Sequence, residues 1–130
     1  MRIAPIPNRL NWLVVLLGLW QIMAPYFLDY SNVPYAMVNS LAVGVLFIVF
    51  AIWSIRTASL STSSTLNTIN VILGLWLIAA PYVLGYSEID RAATNNLVVG
   101  FAVIVIEALI RLLRRRQVPL RTEEPASHPA

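Results

Sequence analysis

The chain has 130 residues, 58% of them apolar and only 12% charged, with a mean hydropathy of +0.74 and a formal net charge of +3. A soluble domain carries about 45–50% apolar and about 25% charged residues, so a water-soluble globule is excluded and a membrane protein is expected. There is no cysteine, which removes disulfides, thiolate metal sites and thiol relays.

In chain order, residues 1–9 are a short N-terminus bearing Arg2 and Arg9, and four apolar blocks follow: Leu10 to Leu28, Ala36 to Ile55, Thr68 to Leu84 and Ala92 to Ile110. Each runs for about 17–20 residues, enough at 1.5 Å rise per residue to cross a hydrocarbon core of about 30 Å. The blocks predict four transmembrane helices. Arginines before an apolar run also mark secretory signals, but a near-copy of the first block recurs mid-chain and no small-x-small cleavage site follows Leu28. The first block is expected to stay in the mature protein.

The connection RTASLSTSSTL, residues 56–66, is rich in Ser and Thr and reads as a loop between two hairpins, 10–55 and 67–113. Residues 114–130 begin with a basic run and continue as QVPLRTEEPASHPA, a composition that predicts a disordered tail. The single histidine, His128, lies in that tail. No cofactor, no metal and no catalytic residue is expected.

All nine basic residues are arginine, which points to a GC-rich bacterial source. All but Arg91 lie before the first block, after the second or after the fourth. By the positive-inside rule the N- and C-termini are cytoplasmic, in a bacterial inner membrane. The basic isoelectric point is thereby accounted for, and no nucleic-acid partner is expected. Tyr26, Tyr30, Tyr35, Tyr82 and Tyr86 cluster at the opposite, outer ends, as headgroup-seeking aromatics should.

Asn11 to Arg56 aligns without a gap on Asn67 to Leu112. Such self-similarity marks duplication of one structural unit, and a unit of two spans must be copied in the same orientation, related by a pseudo-twofold axis along the membrane normal. The fold expected is all-α: a four-transmembrane-helix bundle of two tandem two-helix repeats in one orientation. The shared residues concentrate in LGLW with Gly18, Trp20, Gly74 and Trp76; in APY with Pro25, Tyr26, Pro81 and Tyr82; and in A-x-x-N-x-L-x-V-G with Asn39, Gly44, Asn95 and Gly100.

In these motifs the chain resembles the SPW-repeat integral membrane proteins, whose unit is a two-helix repeat with Ser-Pro-Trp near the end of the first helix. The signature departs here to Ala24-Pro25-Tyr26 and Ala80-Pro81-Tyr82. The resemblance implies the fold and a membrane location and brings no activity with it.

Proline within a helix removes a donor and frees the carbonyl four residues back, that of Gln21 or Leu77. Asn39 and Asn95 should lie near those carbonyls and are expected to donate to them. The glycines, matched in depth within each hairpin, predict packing notches rather than ligand-access gaps. Trp20 and Trp76 lie below the aromatic belt and read as core or interface fillers.

Two departures from the repeat stand out. Gln21 faces Leu77 in the alignment and predicts an amide hydrogen-bonding across the bundle axis. Glu107 faces Ala51 and is the one ionisable side chain well inside a span; Arg111, four residues on, predicts an ion pair near the cytoplasmic interface. Gln21, Glu107 and Arg111 thus form a possible intramembrane polar site. The leading expectation is a non-enzymatic structural or accessory membrane protein that contacts lipid and associates with itself or another membrane protein. The alternative is a small oligomeric transporter or channel with a polar path near Gln21, Asn39, Asn95 and Glu107. A lipid- or quinone-directed enzyme has no supporting residues beyond these.

Overall fold

The computed structural model describes residues 6–126, and side chains within 8–115. Arg2 and His128, and the side chains of Arg116 and Arg121, lie outside the described residues. Four helices follow one another: α1 (Ile6–Phe27), α2 (Pro34–Arg56), α3 (Leu60–Val83) and α4 (Asp90–Ala126). All four are long and apolar enough to cross a membrane, over Asn8–Phe27, Pro34–Arg56, Leu60–Val83 and Asp90–Arg115. They form an all-α bundle in which α1 packs on α2 and α4, and α3 on α4 and α2.

Local chemistry sets the helix ends. Pro34 starts α2 at a position whose N–H would have no intrahelical partner. At Ser59 the side chain accepts the Thr62 N–H and opens α3. Asp29 (φ 61°) and Gly85 (φ 82°) end α1 and α3 in the left-handed region. There the N–H of the next residue turns back to a proline carbonyl, Tyr30 to Pro25 at 2.9 Å and Tyr86 to Pro81 at 2.8 Å, the long-range bond of a Schellman cap. Each motif proline therefore serves a cap that folds a tyrosine back over the bundle.

Two boundaries differ from the expectation. The Ser/Thr-rich stretch 56–66 is a loop only over residues 57–59; Arg56 closes α2 and residues 60–66 are the first turns of α3. The hydroxyls are accommodated because Thr65 and Thr68 donate to the carbonyls of Ser61 and Ser64 in the preceding turn, each at 3.1 Å. The tail expected to be disordered continues α4 as far as Ala126. Arg, Leu, Gln and Glu are good helix formers, so loss of apolar character there does not end the helix.

The glycine pairs bring the helices of each hairpin into backbone contact. A Cβ on Gly18 would stand 2.7 Å from the carbonyl oxygen of Gly44, and one on Gly100 2.5 Å from that of Gly74. Mid-bundle, Val14, Val43, Phe47, Ala51, Leu77, Val99 and Val103 form a buried apolar layer. Large apolar side chains such as Leu16, Val38, Ile72 and Phe101 point outward from the four helices, as lipid-facing positions do.

Candidate functional site

Polar side chains gather at two levels, one above and one below the apolar layer. The outer level joins the two hairpins by exchange. The Trp20 indole N–H donates to Asn95 Oδ1 at 2.8 Å, and the Trp76 N–H donates to Asn39 Oδ1 at 2.7 Å. Asn39 Nδ2 then donates to the Tyr86 hydroxyl at 3.0 Å, and Asn95 Nδ2 donates to the Tyr30 hydroxyl at 3.4 Å and to Gln21 Oε1 at 3.0 Å. Each Asn thus ties a tryptophan and a tyrosine of the other hairpin. Gln21 completes the set: its Nε2 donates to Ser40 Oγ at 3.2 Å and Asn96 Oδ1 at 3.1 Å.

Within each hairpin the tyrosine also meets the residue after the Asn, Tyr30 with Ser40 at 2.9 Å and Asn96 with Tyr86 at 2.8 Å. Burial pushes both phenols above their ordinary pKa; hydrogen bonds from Ser40 and Asn95 for Tyr30, and from Asn96 and Asn39 for Tyr86, act in the opposite direction.

The inner level lies where α1 and α3 begin and α2 ends. Asn11 Nδ2 donates to Ser54 Oγ at 3.4 Å, Ser54 and Ser63 share a hydrogen bond of 3.0 Å, and the Arg114 guanidinium donates to Ser63. Beside them Glu107 is 1% exposed. Its Oε1 accepts from Asn67 Nδ2 at 2.7 Å and its Oε2 from Asn70 Nδ2 at 2.9 Å. Asn70 Oδ1 is the buried side-chain polar atom left without a partner among the described residues. Arg111 donates to Thr68 Oγ1 at 2.7 Å.

Several expectations change here. Asn39 and Asn95 donate to side chains and not to the carbonyls freed by proline, because the Schellman turns bring Tyr30 and Tyr86 within their reach. Those two tyrosines are 1% and 3% exposed and belong to the core rather than the headgroup belt, while Tyr26 and Tyr82 point outward and join neither cluster. Glu107 is held by Asn67 and Asn70 instead of Arg111: the carboxylate turns into the bundle, and the Arg111 guanidinium turns to α3. The tryptophans are hydrogen-bond donors as well as fillers; Trp20 also stacks on Phe27 at a centroid distance of 6.0 Å. Gln21 bonds across the axis as its departure from the repeat suggests.

Asn11, Ser54, Ser63, Asn67, Asn70 and Arg114 are additions. Asn67 and Asn70 carried a usable signal, two amides three residues apart on one helical face.

Between the levels the layer is closed. Phe47 and Val103 are fully buried and Val43 and Val99 nearly so, and about 16 Å of α4 separates Asn96 from Glu107 at helical rise. Among the described residues no group of three or more His, Cys, Asp or Glu side chains is placed to hold a metal. An open cavity of about 230 Å³ lies beside the inner level, lined by Leu60, Ser64, Asn67, Arg111, Arg114 and Arg115.

The family model described as the SPW repeat domain matches residues 8–110, most of the chain. Neither a curated protein nor a solved structure matches it.

Proposed function

The chain belongs to the SPW repeat domain family, and on that premise we propose that it is a non-enzymatic structural or accessory component of a bacterial inner membrane. Both termini face the cytoplasm, and the helix faces left apolar contact lipid and associate with a second copy or with another membrane protein. Nucleic acid is not a partner. The observation that carries this reading is the closure of the outer network: Trp20, Gln21, Asn39, Trp76, Asn95 and Asn96 spend their polar atoms on one another and on Tyr30, Ser40 and Tyr86, largely across the two hairpins. A site that turned over a substrate would keep such groups free to meet it.

The reading is tested by purification in a mild detergent, with mass determination and identification of co-purifying proteins and lipids. A defined oligomer or a stoichiometric membrane partner is expected; a bare monomer at every concentration would count against it. A second reading, a small transporter or channel, draws on Glu107, since an intramembrane carboxylate often handles protons or cations. On that reading Glu107→Gln abolishes a flux in proteoliposomes. On the structural reading the purified protein supports no flux to abolish.

A further inference from the structure

We propose that the cavity between the start of α3 and the end of the α4 span is a binding site for a phosphate group, carried by an acidic phospholipid or by a soluble phosphate. Three guanidinium groups, those of Arg111, Arg114 and Arg115, line it together with Leu60, Ser64 and Asn67. Two of the three are held in place by neutral hydroxyls, Arg111 by Thr68 and Arg114 by Ser63. A hydroxyl orients a guanidinium without cancelling its charge. Among the described residues the one ion pair is Arg91 with Asp29, at the opposite end of the bundle. The cavity therefore concentrates oriented positive charge that no direct ion pair cancels, and the planar arginine fork matches the oxygens of a phosphate.

The nearby carboxylate does not spoil the site. Glu107 is buried behind Asn67, and both its oxygens accept amide hydrogens from Asn67 and Asn70. One shielded negative charge stands against three positive ones. The cavity also borders the first turns of α3, whose dipole places partial positive charge at that end. Its setting suits a lipid in particular: Leu60, 49% exposed, lines the cavity with the arginines and gives it an apolar side. Basic pockets between helices at this depth are suited to acidic headgroups.

The test uses the full chain in detergent. Native mass spectrometry is run with phosphatidylglycerol and, in parallel, phosphatidylcholine, on the native protein and on Arg111→Gln/Arg115→Gln. Arg114 is left intact because it also ties α4 to Ser63 and Ser54. Arg91→Gln, which removes a positive charge from the other end, is the control. Preferential retention of phosphatidylglycerol is expected, weakened about 30-fold in the double variant, from roughly fivefold for each arginine, and unchanged in the control.

Inorganic phosphate at millimolar concentration separates the sources. Displacement of the lipid, or an Arg111-dependent rise in Tm, assigns the site to soluble phosphate as well; retention of the lipid with no rise assigns it to the headgroup. Equal binding of both lipids with no phosphate effect overturns the proposal, as does an equal loss in the control or no loss in the double variant. Should the double variant misfold, Arg115→Gln alone, at an exposed side chain, must still weaken retention about fivefold.

Discussion

Replacing Trp76 with Phe removes one indole N–H and leaves Asn39 Oδ1 without its 2.7 Å donor. Replacing Asn39 with Leu removes that acceptor and also the donor to the Tyr86 hydroxyl. In a membrane the lost aromatic area counts for little, because lipid tails are as apolar as the core, and the polar contact dominates. Interhelical hydrogen bonds there average about 0.6 kcal/mol and reach about 1.7. Trp76→Phe should therefore cost roughly 0.6–1.7 kcal/mol and Asn39→Leu, with two bonds lost, about 1–3 kcal/mol. The double variant should cost less than the sum by the Trp76–Asn39 coupling, again about 0.6–1.7 kcal/mol. Equilibrium unfolding in mixed detergent micelles, followed by far-ultraviolet circular dichroism, measures all four corners of the cycle. The mirror cycle at Trp20 and Asn95 should return a coupling of the same size. Couplings below about 0.3 kcal/mol at both pairs, within the additivity expected of independent sites, would refute the exchange of hydrogen bonds as what joins the hairpins.

Gly100→Ala places a methyl 2.5 Å from the Gly74 carbonyl oxygen, a backbone atom that cannot rotate aside, so α3 and α4 must separate; a loss of about 1–3 kcal/mol is expected in the same unfolding assay, and an unchanged midpoint would contradict the close approach. Glu107→Gln can keep the Asn67 bond and let Asn70 reorient its amide, whereas Glu107→Leu strands the Asn70 amide and leaves Asn67 only the backbone carbonyl of residue 107. The Gln variant should unfold near the native midpoint and the Leu variant about 1–3 kcal/mol earlier. Tyr30 and Tyr86 have folded-state pKa values raised above the ordinary 10.0. Above pH 10 the unfolded chain releases these protons before the folded one does, so their contribution is fully present below pH 10 and is lost as pH rises through the folded values. A stability profile from pH 8 upward should show that decline, and Tyr30→Phe/Tyr86→Phe should remove it.

The spans, the hairpins and the glycine notches were legible because each is a local or periodic property: apolar length, repetition, and small residues matched in depth. The partners of Asn39 and Asn95 were not. Their depth was readable, but nothing along one chain says that a tryptophan in the other hairpin lies closer than the carbonyl freed in the same one. Glu107 was misassigned for a related reason. Helical spacing favours Arg111, whereas the actual partners, Asn67 and Asn70, lie on α3, 40 and 37 residues away along the chain.

The structure also makes sense of the departures between the repeats, which fall in contacting sets. Asn70 and Glu107 stand where the first hairpin has Val14 and Ala51. Gln21 reaches both Ser40 and Asn96, the unlike residues that follow the two asparagines. At positions 14 and 51 the first hairpin is apolar where the second, at 70 and 107, is polar.

The central claim is a centre closed to water, with its polar groups consumed in joining the hairpins. Because the chain has no cysteine, single cysteines introduced at Val43 and Val103, both buried in the apolar layer, can be probed against an otherwise silent background. A membrane-impermeant methanethiosulfonate reagent, applied to sealed vesicles of either orientation, should modify Thr57→Cys from one side and Ser31→Cys from the other, and leave Val43→Cys and Val103→Cys unmodified. Modification of both layer positions would reveal an aqueous path through the bundle and contradict the account.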